Sequence, residues 1–124
     1  MRDVIHTADA PAPGGPYSQA VRAGGLVFLA GQIGHDPVSG ELADAFEAQA
    51  RQTFRNLEAV ARAAGGSLAD AVRIGIYLRD MGNFATLNEV YGEFLSEPYP
   101  ARTTIQSDLP GFAIEVDAVL WLGG

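Results

Sequence analysis

Across Gly65-Gly66 the spacing of the apolar residues changes from helical to extended, and no other feature restricts the fold of this chain as strongly. Before the glycines, Phe46, Ala50, Phe54, Leu57, Ala61 and Ala64 recur at intervals of 4, 4, 3, 4 and 3 residues. That is one stripe on a helix of about five turns. Asp44 is its expected N-cap, with Glu47 as capping-box partner. Glu47, Arg51, Arg55, Glu58 and Arg62 fall on the wet side. There Glu47–Arg51 and Glu58–Arg62 are i,i+4 pairs, each worth a few tenths of a kcal/mol. Gly65-Gly66 ends the helix. After the glycines, Ser67 and Asp70 predict a short capped turn. Val72, Ile74, Ile76 and Leu78 then alternate with Arg73, Gly75, Tyr77 and Arg79, the clearest strand in the sequence.

The flanks fill in the rest. Residues 8–16 are turn material, rich in Pro and Gly. Leu26–Ala30 is a buried-strand run between glycines, and Asp36–Gly40 is a turn. Asn83 can cap a second helix with Phe84, Leu87, Val90 or Tyr91, and Phe94 toward the core, stopped by Pro98 and Pro100. Two strands follow, at about Arg102–Ser107 and Ala113–Leu122. The order predicts an α+β layer, a mixed sheet with two helices on one face. In the last strand Ile114, Val116, Ala118 and Leu120 would face the helices. Glu115, Asp117, Val119 and Trp121 would face away. With both helices on one side, the second face is bare, which predicts a homo-oligomer that covers it.

The missing residue types limit the chemistry. All 8 Lys+Arg positions are arginine, and there is no cysteine. Walker A loops, Schiff-base and pyridoxal lysines, thiolate nucleophiles, disulfides and cysteine-held metals are therefore excluded. Only His6 and His35 could serve a hydrolytic triad, and there is no G-x-S-x-G elbow. His35-Asp36 reads as a solvated loop pair rather than a metal site. The net charge of −7 and the scattered arginines argue against nucleic acid as the main partner. No apolar run approaches the ~18 residues of a membrane span, and residues 1–6 have no apolar h-region. The expectation is a cytoplasmic protein of one domain, residues 1–124.

Carboxylates, arginine, tyrosine, amides and water remain. Arg102 and Thr104 share one face of their strand, and Glu115 and Asp117 share a face of the next. If the strands are neighbours, one reading is a cross-strand ion pair, worth under about 1 kcal/mol when exposed. The other is a carboxylate clamp beside a general acid/base. A guanidinium grips a carboxylate through two parallel N–H···O bonds, and a nearby glutamate can orient water and move a proton.

The segments Gly15-Pro16-Tyr17-Ser18-Gln19-Ala20-Val21, Phe28-Leu29-Ala30-Gly31-Gln32-Ile33, Gln49-Ala50-Arg51-Gln52-Thr53, Asn83-Phe84-Ala85-Thr86-Leu87-Asn88, Pro98-Tyr99-Pro100-Ala101-Arg102-Thr103-Thr104 and Ile114-Glu115-Val116-Asp117-Ala118 together resemble the RidA/YjgF family of reactive intermediate (enamine/imine) deaminases. Each segment is weak alone; six in order, spanning nearly the whole chain, are specific. The resemblance implies a chorismate-mutase-like α+β fold and a homotrimer whose sheets face inward, with sites between subunits. It implies hydrolysis of small anionic 2-imino or 2-enamino acids, such as 2-aminoacrylate, to 2-oxo acids and ammonia, with no cofactor or metal. Arg102 would clamp the substrate carboxylate, and Glu115 would hold the attacking water and move its proton. Tyr17 would offer its hydroxyl, Gly31 a close backbone approach, Asn88 a cleft wall, and Thr104 its backbone and small side chain. Ala30 stands where members often have Ser, and Thr104 where some have Cys, which bears on substrate range. Three alternatives stay open: a specialised deaminase of aminomuconate-type or pyrimidine-breakdown intermediates, an RNA-cleaving protein, and a non-catalytic ligand-binding or chaperone-like trimer.

Overall fold

The computed structural model describes residues 2–123, so Met1 and Gly124 of the expected 1–124 domain lie outside the described residues. Strands β1 (Arg2–Ile5), β2 (Ala20–Ala23) and β3 (Leu26–Gln32) precede helix α1 (Phe46–Ala63). Strand β4 (Ala71–Leu78), helix α2 (Phe84–Phe94), β5 (Ala101–Gln106) and β6 (Ile114–Trp121) follow. They form one six-stranded sheet in the order β1-β2-β3-β6-β4-β5. Among the described residues only β4 and β5 run parallel, joined by α2 as the crossover that a parallel pair needs. The fold is the mixed α+β layer that the change of period predicts.

The helical stripe is the core. Ala50, Phe54, Leu57 and Ala61 are fully buried in α1, with Phe46 and Ala64 packed at the margin. Leu87, Val90 and Tyr91 of α2 join the same cluster, as do Ile74, Ile76, Leu78, Ile114, Val116, Ala118 and Leu120 of the sheet. Phe54 stacks on Phe94 at 5.4 Å and meets Tyr91 edge-on at 5.9 Å, tying the two helices together. Both expected surface pairs are present, Arg51–Glu47 at 2.8 Å and Arg62–Glu58 at 3.1 Å. Arg51 also bridges to Glu93 of α2 at 2.8 Å. Gly65, at φ +93°, closes α1. Its N–H donates to the Arg62 carbonyl and that of Gly66 to the Ala61 carbonyl, the paired bonds of a Schellman cap.

Four local expectations are corrected. Asp44 does not cap α1; Ala45 holds the N-cap position with no side-chain bond. The entry is instead fixed from inside, where Gln49 Nε2 donates to the Ala43 carbonyl at 2.8 Å. Asn83 occupies the N-cap position of α2 but makes no cap bond. A 3₁₀ turn, Met81–Asn83, leads into α2, capped by Asp80 through the Gly82 N–H. Phe84 is 38% exposed rather than in the core. Val72 is likewise exposed, because a bulge between Ala71 and Arg73 puts two residues of β4 against one of β6. The Ser67–Asp70 turn is as expected, with a complete capping box.

The other face of the sheet is open. Along the cross-strand rows Val4, Val21, Phe28 and Val119 lie side by side, and Ala23, Leu26 and Trp121 form the next row. Phe28 is 47% exposed and Trp121 53%. No helix is long and apolar enough to cross a membrane among the described residues.

Candidate functional site

Arg102 sits on β5, at the edge of the sheet. Its partner on β4 is Ile74, which is fully buried. Neighbours across a ladder point the same way, so Arg102 points toward the helices. Its guanidinium carbon lies 4.7 Å from the centre of the Tyr91 ring and 5.7 Å from that of Phe84. No carboxylate pairs with it among the described residues. Beside it opens a pocket of about 330 Å³ lined by Asn88, Tyr91, Gly92, Tyr99, Pro100 and Arg102. Thr104, two residues on, shares this face, and its Oγ1 is buried without a hydrogen-bond partner. The Tyr91 hydroxyl is also buried and unpartnered. Burial raises the Tyr91 hydroxyl pKa, against the opposing pull of the Arg102 charge.

Glu115 belongs to the other side. It pairs with Tyr77 of β4, out of phase with the buried Ile114 and Val116. A Cβ placed on Gly31 would overlap the Glu115 carboxylate, so the glycine is what leaves room for it. Gly31 lies where the β3–β6 register shifts between Leu29 and Gln32. Burial first, and the charge of Asp117 second, raise the Glu115 carboxyl above its ordinary pKa. Asp117 fits into the space left by Gly75 and accepts a hydrogen bond from the Tyr77 hydroxyl at 3.0 Å. That bond, with burial, raises the Tyr77 pKa. Tyr17 is 53% exposed. Its hydroxyl accepts from the Gly14 N–H at 3.2 Å, and it lines a cavity of about 220 Å³ with Gly14, Gly31, Gln32 and His35.

The residues singled out from the sequence thus fall into two groups. Arg102 and Asn88 line the edge pocket and Thr104 shares the strand face of Arg102 without lining it, whereas Glu115, Gly31 and Tyr17 lie on or beside the open face. The cross-strand ion pair does not form, because β4 runs between β5 and β6. Arg102 and Glu115 moreover leave the sheet in opposite directions.

Several residues that hold these groups carry no charge and escape a search for charges. Gln49 Oε1 accepts from the Ala113 N–H at 2.7 Å, fixing the start of the strand that bears Glu115. Asn56 Nδ2 donates to the carbonyls of Ile33 and His35, both at 2.8 Å, fixing the chain just after Gly31. Gln19 is 2% exposed and binds Thr7 and Pro11, anchoring the loop that leads to Tyr17. The available signal was position: Gln49, Thr53 and Asn56 each precede a member of the apolar stripe, on a flank that becomes buried. His35-Asp36 is a loop pair, with Asp36 Oδ1 accepting from Val38 and Ser39. Those backbone N–H groups lower the Asp36 pKa. No group of three or more His, Cys, Asp or Glu is placed to hold a metal among the described residues.

A mixed sheet under two helices, with an arginine at one edge that has no carboxylate partner among the described residues and a half-buried glutamate on the open face, defines an α+β protein. The chain belongs to the YjgF/RidA family: the family model described as endoribonuclease L-PSP matches residues 7–121. It is 45% identical to a RutC family protein of Pyrococcus horikoshii, covering 98% of both chains. It is 40% identical to the 2-iminobutanoate/2-iminopropanoate deaminase of Homo sapiens, covering 96% of this chain and 89% of that one. Its fold matches the crystal structure of RidA from an Antarctic Psychrobacter with a TM-score of 0.93 at 47% identity, over 96% of this chain and 98% of that chain.

Proposed function

We propose that this protein is a cofactor-independent cytoplasmic deaminase that hydrolyses small 2-imino and 2-enamino acids to 2-oxo acids and ammonia. Its sites form where the Arg102 side of one chain meets the Glu115 side of another. The observation that carries this reading is the division of the site between two faces of one sheet, alongside an apolar face left uncovered. A second copy would cover Phe28 and Trp121 and complete the site in one step; a closed trimer with head-to-tail contacts meets both needs. The deaminase name of a relative at 40% identity supports the chemistry.

Arg102 has free donors to take the substrate carboxylate in a bidentate grip. The enamine tautomerises to the imine. Glu115 holds a water, takes its proton as oxygen bonds to the imine carbon, and passes a proton to nitrogen. The carbinolamine then loses its C–N bond, ammonia leaves and the carbonyl forms. Such imines hydrolyse unaided in water, so positioning and proton transfer suffice, the latter worth roughly 10²–10⁴-fold. A net charge of −7 opposes the approach of RNA.

The test is hydrolysis of oxidase-generated imines in competition with semicarbazide, across several parent amino acids. Wild type should outpace the spontaneous reaction, and Arg102→Lys and Glu115→Ala should lose most of that acceleration. Wild-type rates in both variants would sink the reading.

A further inference from the structure

Arg102 carries a full charge at a half-buried position with no carboxylate partner among the described residues. A long side chain in that state ordinarily samples many rotamers, and ordering it on binding costs affinity. Here two aromatic rings from α2 lie against it. Tyr91 is the closer, at 4.7 Å, and is 7% exposed; Phe84, at 5.7 Å, is 38% exposed. Tyr91 is in turn fixed by the Phe54 ring at 5.9 Å, in the middle of the core. A guanidinium over a ring face keeps its N–H edge free, because the attraction uses the flat face. A carboxylate partner would occupy that edge instead.

We infer that Tyr91, seconded by Phe84, is a positioning residue: its ring face holds the Arg102 guanidinium in the carboxylate-binding orientation while leaving every donor unspent. The role belongs to the ring and not to the hydroxyl, which is buried without a partner. The inference rests on Arg102 as the carboxylate seat of the proposed site, but it concerns binding, not turnover. Tyr91 therefore governs affinity and leaves the proton transfers at Glu115 untouched.

Direct binding tests it without relying on catalysis. The affinity of 2-oxobutanoate is measured by calorimetry for wild type, Tyr91→Phe, Tyr91→Leu and Phe84→Ala, and imine hydrolysis is measured separately. Loss of a cation–π contact predicts a Kd raised about 3- to 30-fold in Tyr91→Leu, with a smaller rise in Phe84→Ala and wild-type affinity in Tyr91→Phe. In hydrolysis the Tyr91→Leu defect should appear in KM with kcat within about twofold of wild type. Phe84→Ala changes an exposed side chain and keeps the test alive if Tyr91→Leu folds poorly. Unchanged affinity in both ring-removing variants overturns the inference, as does a Tyr91→Phe variant as weak as Tyr91→Leu, or a wild type that does not bind the 2-oxo acid. Binding that follows the predicted order in a protein without imine hydrolysis upholds the positioning role and defeats the deaminase reading alone.

Discussion

Arg102 and Glu115 project from opposite faces of one sheet. The ladder fixes this: Arg102 is level with the buried Ile74, and Glu115 is level with Tyr77, three residues further along the same strand β4. An odd offset along a strand reverses the face. No side-chain rotation within one chain can bring the two groups to a common ligand. Either they serve separate ends, or a second chain supplies the missing half.

The second possibility makes a sharp prediction for mixed oligomers. Arg102→Ala and Glu115→Ala should each be inactive alone. Co-expressed or refolded together at equal ratio, they should recover activity. In a head-to-tail ring each site takes Arg102 from one chain and Glu115 from the next, so random mixing leaves about a quarter of sites intact. Imine hydrolysis by the mixture, with native mass spectrometry to verify that it is mixed, reads this out. A mixture as inactive as its components would show that a second chain does not complete the site.

Gly31→Ala is predicted to act through Glu115 alone. Gly31 is not among the glycines with positive φ, so its backbone accepts a side chain. The three nearest atoms to an added Cβ all belong to Glu115. The carboxylate must therefore swing away, and kcat should fall by roughly 10²-fold, within the range for loss of a general acid/base. Adding Gly31→Ala to Glu115→Ala should then cost little more, because both remove the same function. Rate measurements on the four-protein cycle decide it; additive losses would place the effect elsewhere.

Helix ends separate the sequence signals that held from those that did not. Ser67 accepts from the Ala69 N–H and Asp70 from the Ser67 N–H, so Ser67→Ala should cost about 1 kcal/mol. Asp44, which shows the same sequence signature, caps nothing, and Asp44→Ala should change stability by less than about 0.5 kcal/mol, as at ordinary surface positions. Urea unfolding of both variants compares them directly. Equal losses would mean that Asp44 caps α1 in solution after all.

The contrast between those two boxes shows why some of the molecule was legible and some was not. Periodicity recovered α1 and β4, because a stripe at 3.6 and an alternation at 2 are imposed by which side meets the core. The short strands β1 and β2 lacked that signal, each being only 4 residues long. Strand order was not legible either. Arg102 and Glu115 lie on consecutive strands in sequence, yet β4 inserts between them, and a crossover connection leaves no local mark in the residues. The site residues could be named from matched segments, while their division between two faces required the register. Gln49 and Asn56 are neutral and carry no charge signal, although their bonds to Ala113 and Ile33 fix the start of the strand that bears Glu115 and the chain just after Gly31.

The pH dependence of kcat should expose the environment of Glu115. Its carboxyl is raised first by burial and second by the charge of Asp117. Other charged or titratable groups on this face are Tyr77 and Arg73 of β4 and, in the row of Trp121, Arg2 of β1, with Tyr77 already donating to Asp117. In the proposed mechanism the carboxylate form of Glu115 takes the proton from water, so activity fails when that carboxylate is protonated. A raised pKa keeps the proton on to higher pH. The acid limb of kcat therefore falls above the ordinary glutamate range, and activity is lost sooner on acidification than for an unperturbed carboxylate. The kcat profile is the one to measure, because it reports the substrate complex, in which the carboxylate of the substrate occupies Arg102. Asp117→Asn removes the second cause and leaves burial in place, so the limb should move toward lower pH without returning to the ordinary range. A limb that does not move in Asp117→Asn, or that moves to higher pH, would mean that the charge of Asp117 is not coupled to the proton Glu115 transfers.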